Sequence, residues 1–283
     1  MKSLLDIFST RELAFIIWLV LFATVLLLFA KGVGKGLLNV VATFFDKQIV
    51  IPFLLQVSFI CAVIFLFYKV DLWDKSLLKD TIFWYFGVAL VLFFSINKAK
   101  DFAYFKTVVK ESVKWTIIIE FIVNLYTFSL LTELIMLPFL LLVVLMQTVS
   151  ETDKKNEQVT KLLKNILSLF GLTVLVYVTY KTFSMPNKLF DSQNLFSFLL
   201  PVVLTLFLIP FIYPLALFAN YQTLFVRLPF ISKDTVIRNQ LKKQILLTAN
   251  VNINKLTLIS KKLNNFDLTQ SDDIKNYIRG LIQ

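Results

Sequence analysis

Apolar residues fall in seven long runs, near Leu13–Ala30, Ile49–Tyr68, Thr81–Ile96, Val113–Leu130, Glu133–Val149, Leu163–Tyr180 and Leu195–Phe218. A helix needs roughly 20 apolar residues to cross a hydrocarbon core about 30 Å thick, and the runs are close to that length. Polar residues gather between the runs rather than inside them. No ten-residue alternating pattern recurs, which argues against a transmembrane barrel. The pattern predicts an all-α, polytopic membrane protein. It has about seven transmembrane helices over residues 1–231 and a small cytoplasmic helical tail over residues 232–283.

The first run is flanked by Asp6 and Glu12 and lacks a small-residue cleavage site. It reads as a retained helix capped by Ser9 or Thr10, not as a signal peptide. The fourth and fifth runs read as a tight hairpin around Leu130–Thr132, because one helix of their combined length, about 50 Å, would overshoot the bilayer. Ahead of them, Phe102, Phe105, Val109 and Val113 recur at helical spacing, as in a helix lying on the membrane surface. The tail shows three short amphipathic patterns. Val236, Ile237, Leu241 and Ile245 mark the first, Leu256, Ile259 and Leu263 the second, and Ile274, Tyr277, Ile278, Leu281 and Ile282 the third. Thr269 and Asp272 form a capping box before the last.

Composition supports the membrane reading. The chain is 58% hydrophobic with 30 phenylalanines, and only 17% of its residues are charged, against about 25% in soluble domains. It has no histidine and one cysteine, Cys61. That excludes a Ser-His-Asp triad, an HExxH zinc site, a histidine-ligated haem and an internal disulfide. Cys61, inside an apolar run, is expected to be a small core residue. Nothing calls for a cofactor or metal, and no nucleophile and base stand together, so the chain is not expected to be an enzyme.

Charge orients it. Of the 29 lysines and arginines, 22 fall in segments on one side of a seven-helix layout and seven on the other. Cytoplasmic segments carry the excess, so the N-terminus is expected outside and the tail in the cytoplasm of a bacterial-type inner membrane. Much of the +11 net charge then faces the anionic inner leaflet.

Three polar residues intrude on the fourth and fifth runs: Glu120, Asn124 and Glu133. Glu133 sits at the expected turn, where water and the helix dipole favour an acid, and reads as a hydrated helix cap. Thr116, Glu120, Asn124 and Thr127 are spaced by four, four and three, which puts them on one stripe of a helix. Two readings stay open for that stripe. It is interhelical glue, with Glu120 and Asn124 bonding Thr173, Tyr177 or a backbone group freed by Pro138, or it lines a cation-attracting path in an oligomer.

Other motifs carry less. Lys31–Gly36 lacks the spacing of a phosphate loop and follows a membrane run, so it reads as a flexible loop. A long linker before the third tail helix, and Asp272 and Asp273 at its start, argue against sequence-specific DNA binding. Lys242, Lys243, Lys261 and Lys262 are candidates for an anionic, nucleotide-like ligand or lipid. Pro201, Pro210 and Pro214 interrupt the last run and suggest a bent lever between tail and membrane. Retinal proteins also have seven helices, but their Schiff base needs a mid-membrane lysine in helix 7, and this run has none.

The layout fits a gated, homo-oligomeric ion channel or pore, opened by a cytoplasmic ligand or partner protein. Membrane effectors of antiviral defence share it by analogy of architecture only. A small cation- or proton-coupled transporter using Glu120 fits too, as does a non-conducting scaffold that docks a soluble partner.

Overall fold

The computed structural model describes residues 8–29, 33–185, 191–263 and 274–282. All regular structure among them is helical. Among the described residues, six helices are long and apolar enough to cross a membrane. They are α1 (Thr10–Phe29), α3 (Lys47–Lys69), α4 (Lys75–Phe94), α7 (Leu130–Ser150), α8 (Glu157–Ser184) and α9 (Ser192–Ile231). The shorter helices are α2 (Val33–Phe44), α5 (Phe102–Ser112), α6 (Trp115–Leu125), α10 (Thr235–Ala249), α11 (Ile253–Lys262) and α12 (Ile274–Gly280).

The run over Val113–Leu130 is therefore not a full spanning helix. It yields α6, 11 residues and about 16 Å long. The cause lies at its ends. Val113 leaves the helical region (φ −122°, ψ 16°) to close α5. Ser129 is extended and caps α7 by accepting from the Thr132 N–H at 3.3 Å, so α6 stops at Leu125. From Val33 to Gly36 the flexible-loop expectation also gives way, because α2 starts at Val33, while Lys31 and Gly32 lie outside the described residues.

The chain forms two compact units. The first comprises Met1–Lys47 and Trp115–Phe198. In it α7 packs between α1 and α8, and α6 packs on α8. Tyr126 Oη donates to Met185 O at 3.0 Å, and the Phe128 ring stacks on Tyr177 with centroids 4.4 Å apart. These contacts hold the end of α6 at the end of α8.

The second unit comprises Gln48–Lys114 and Leu199–Gln283. Ile60, Val63, Phe67, Trp84, Leu204, Leu208 and Ile212 make the apolar seam of α3, α4 and α9. Two polar ties cross that seam: Gln56 Nε2 donates to Ala89 O at 3.0 Å, and Trp84 Nε1 donates to Thr205 Oγ1 at 2.9 Å. Cys61 faces outward on α3 and is exposed, so it is not a core residue. Its run is apolar all round, and only its angular position decides which way it points.

Beyond the seam, Leu241, Ile245, Leu256, Ile259, Leu263 and Ile278 are fully buried together with Leu224 and Leu228 of α9. The tail helices thus close their core on the last turns of α9. The boundary read from the sequence at Ile231 and the division into compact units run differently. The Thr269–Asp272 capping box lies outside the described residues.

Candidate functional site: a buried ion pair where α1, α6 and α7 meet

The site begins with two helix caps. Ser9 N–H donates to Glu12 Oε2 at 2.7 Å, and Glu12 N–H donates to Ser9 Oγ at 3.3 Å, the reciprocal pair of a capping box. The next two side chains, Thr10 and Arg11, project toward the break between α6 and α7. There Ser129 starts α7 and puts Glu133 in its first turn.

Glu133 is fully buried. Its carboxylate accepts from Arg11 Nε (3.2 and 3.1 Å to the two oxygens), from Arg11 Nη2 at 3.0 Å and from the Phe128 N–H at 3.1 Å. Arg11 Nη1 donates to Val123 O at 3.2 Å and to Asn124 Oδ1 at 3.0 Å. Thr10 Oγ1 donates to Phe128 O at 2.6 Å and stands 2.8 Å from Thr127 Oγ1. Val123 O is among the last carbonyls of α6, which have no partner within their own helix. The guanidinium thus sits at the negative end of α6 and the carboxylate at the positive end of α7, so both dipoles favour the charges they meet. In the non-helical backbone between α6 and α7, the Phe128 N–H donates to Glu133 and the Phe128 carbonyl accepts from Thr10, so these side chains supply bonds that no helix provides there.

This corrects the reading of Glu133 as a hydrated cap. It does occupy a helix start, but burial replaces water with Arg11. It also corrects the partners expected for Asn124, which accepts from Arg11. Thr173 donates to Leu169 O of its own helix, and Tyr177 meets Phe128 through its ring. The four-residue stripe is broken too. Thr116, Glu120 and Asn124 lie on α6, whereas Thr127 lies past its end and meets α1 through Thr10. The side chains of Thr116 and Glu120 lie outside what the structure describes.

Elsewhere, Gln56 is fully buried with its Oε1 unpartnered, and the buried Tyr85 hydroxyl is unpartnered as well. Tyr85–Ala89 is a π-helical turn inside α4, a geometry frequent at functional sites. Helix α9 runs unbroken through Pro201, Pro210, Pro214 and Pro229, with Thr205 Oγ1 donating to Pro201 O at 2.6 Å. Lys242 lies over the Phe225 ring at 5.7 Å, while Lys243, Lys261 and Lys262 are exposed on α10 and α11. Among the described residues no group of three or more His, Cys, Asp or Glu could hold a metal ion.

No protein-family model, curated protein or solved structure matches this chain.

Sequence reasoning missed Arg11 and Gln56. A signal for Arg11 was available: a lone cation in the first turn of one apolar helix and a lone acid in the first turn of another. For Gln56 it was an amide inside a long, mostly apolar run.

Proposed function

We propose that the protein is a gated, oligomeric membrane channel or pore whose ion path runs beside α6. The observation that carries this reading is the length of α6. The starts of α1 and α7 and the ends of α6 and α8 are tied together by Arg11–Glu133, Thr10–Phe128 and Tyr126–Met185. Those termini therefore lie near one membrane face. From there α6 reaches only about 16 Å back, roughly half the hydrocarbon core. Lys114, ion-paired with Glu111, enters α6 near that depth, and both side chains are well exposed. Non-helical backbone and charge at such depth are tolerated where they line a water-filled cavity or are buried in protein.

The lysine count favours a cytoplasmic tail. The Arg11–Glu133 pair fixes the α6–α7 break, and the tail, built on α9, is suited to pass a cytoplasmic signal to the membrane.

Planar-bilayer recording of the purified protein tests this, using a Cys61→Ser background with Lys114→Cys. Step currents that a water-soluble thiol reagent reduces at Lys114→Cys are expected. Silent bilayers would overturn the reading, and saturable ion-coupled uptake without steps would replace it with the transporter.

A further inference from the structure

We infer that the hairpin tip between α10 and α11 is a membrane-docking element, seated in the headgroup layer of an anionic leaflet. The tip is Asn250–Asn252, where Asn250 takes a positive φ of 47°. Two tyrosines of α9 hold it: Tyr221 Oη donates to Asn250 O at 2.7 Å, and Tyr213 Oη donates to Val251 O. Tyr213 lies five residues inside the end of the apolar run Leu195–Phe218, about 7 Å at 1.5 Å per residue. That sets the tip level with the edge of the apolar belt of α9 instead of out in water. Just beyond it, Ile253 is fully buried in one cluster with Ala99, Phe105, Ile212 and Ala216.

The backbone chemistry agrees. Around the tip, Leu246 O accepts from Asn250 N–H and Ala249 O from Asn252 N–H, both at 2.9 Å. With the two tyrosine bonds, four carbonyls around the tip, those of Leu246, Ala249, Asn250 and Val251, are satisfied without solvent. A turn in water has no need of that, whereas a turn at the bilayer edge does. The adjoining segment is secured in the same way: Asn254 Oδ1 accepts from the Phe102 N–H at 2.9 Å, and Thr257 Oγ1 donates to Lys100 O.

The outer face names the partner. Lys243 and Leu247 stand four residues apart on α10 and Val251 lies at the tip beyond it, and all are exposed, Leu247 at 67% and Val251 at 64%. Lys255 is exposed at the start of α11. Apolar residues at the tip with lysines set back from it match the boundary between acyl chains and anionic headgroups, where a lysine near the surface contributes about 1 kcal/mol. The cytoplasmic module would then sense the lipid surface directly, on the helix that enters the membrane.

Spin labels test this in the full chain on a Cys61→Ser background. The sites are Val251→Cys and, as the aqueous reference, Val236→Cys, near the far end of α10, 13 residues and about 20 Å from Ala249 at the tip end of the helix. In vesicles containing phosphatidylglycerol, the Val251 label should collide with oxygen several-fold more than with a water-soluble nickel chelate, and the Val236 label the reverse. Replacing Lys243 and Lys255 by Gln should lower the Val251 ratio in these vesicles but not in pure phosphatidylcholine. A Val251 label as open to the chelate as the Val236 label overturns the inference. So does an immobilised label reached by neither reagent, which would mean that protein, for instance a second copy, covers the tip. An unchanged ratio in the lysine variant overturns the anionic-headgroup part.

Discussion

Removing one member of the Arg11–Glu133 pair should be far worse than removing both, and the two single losses should be unequal. Arg11→Met leaves a fully buried carboxylate with one remaining donor, the Phe128 N–H. Breaking a buried pair costs about 3–5 kcal/mol, and this variant belongs near the upper end. Glu133→Leu leaves a guanidinium that keeps Val123 O and Asn124 Oδ1 and whose side chain is already 20% exposed. It can turn toward water, which puts its loss near 3 kcal/mol. Independent losses would sum to about 8 kcal/mol. Because no unpaired charge survives in the double variant, it should lose only about 1–2 kcal/mol, a coupling of several kcal/mol. Denaturant titration of the purified full chain in mixed micelles, followed by tryptophan fluorescence, measures all four proteins. Additive losses, or a Glu133→Leu variant as stable as the parent, would refute the assignment of this pair as the pin of the α6–α7 break.

Thr205→Val should cost about 1–3 kcal/mol in the same titration, since it strands the buried Trp84 indole N–H; a silent variant would remove that tie from the account. Ile253→Ala should cost about 2–5 kcal/mol, a loss that a tail independent of the membrane helices would not show. Cysteines at Lys155 and Lys188 should label from opposite faces of sealed cells, Lys188 from outside, and labelling of both from one face would defeat the crossing of α8. Glu151, just outside α7, accepts from Gln147 and pairs with Lys164, which hold its carboxyl below the ordinary 4.5. Its contribution should be present above pH 4.5 and lost as pH falls through the lowered value. A Glu151→Gln difference in stability that persists in stronger acid would contradict this.

The helical, membrane-spanning character was legible because long apolar runs have few other stable solutions. The short α6 was not. Val113–Leu130 has the composition of any other span, and what ends the helix is local: the extended Ser129 and the chain turning back at Val113. For the site, depth in the run did not lead to the buried pair. It drew attention to Glu120, whereas Glu133 is buried against Arg11, 122 positions earlier, whose only sequence signal was a lone cation in the first turn of another apolar helix. In the tail, helical spacing identified Leu241, Ile245, Leu256 and Ile259 as an inward face. It was blind to α9 as the surface they meet, because the exposed and buried sides of α9 are equally apolar.

The Arg11–Glu133 pair also has a consequence for synthesis. The two residues are 122 positions apart, so at roughly 5–20 residues per second α1 emerges on the order of 6–24 s before its partner acid. During that interval Arg11 stands at the edge of a lone apolar helix with its long stem able to reach the interface. The first helix is thus born carrying a temporary surface charge, and it surrenders that charge to the interior only when α7 arrives.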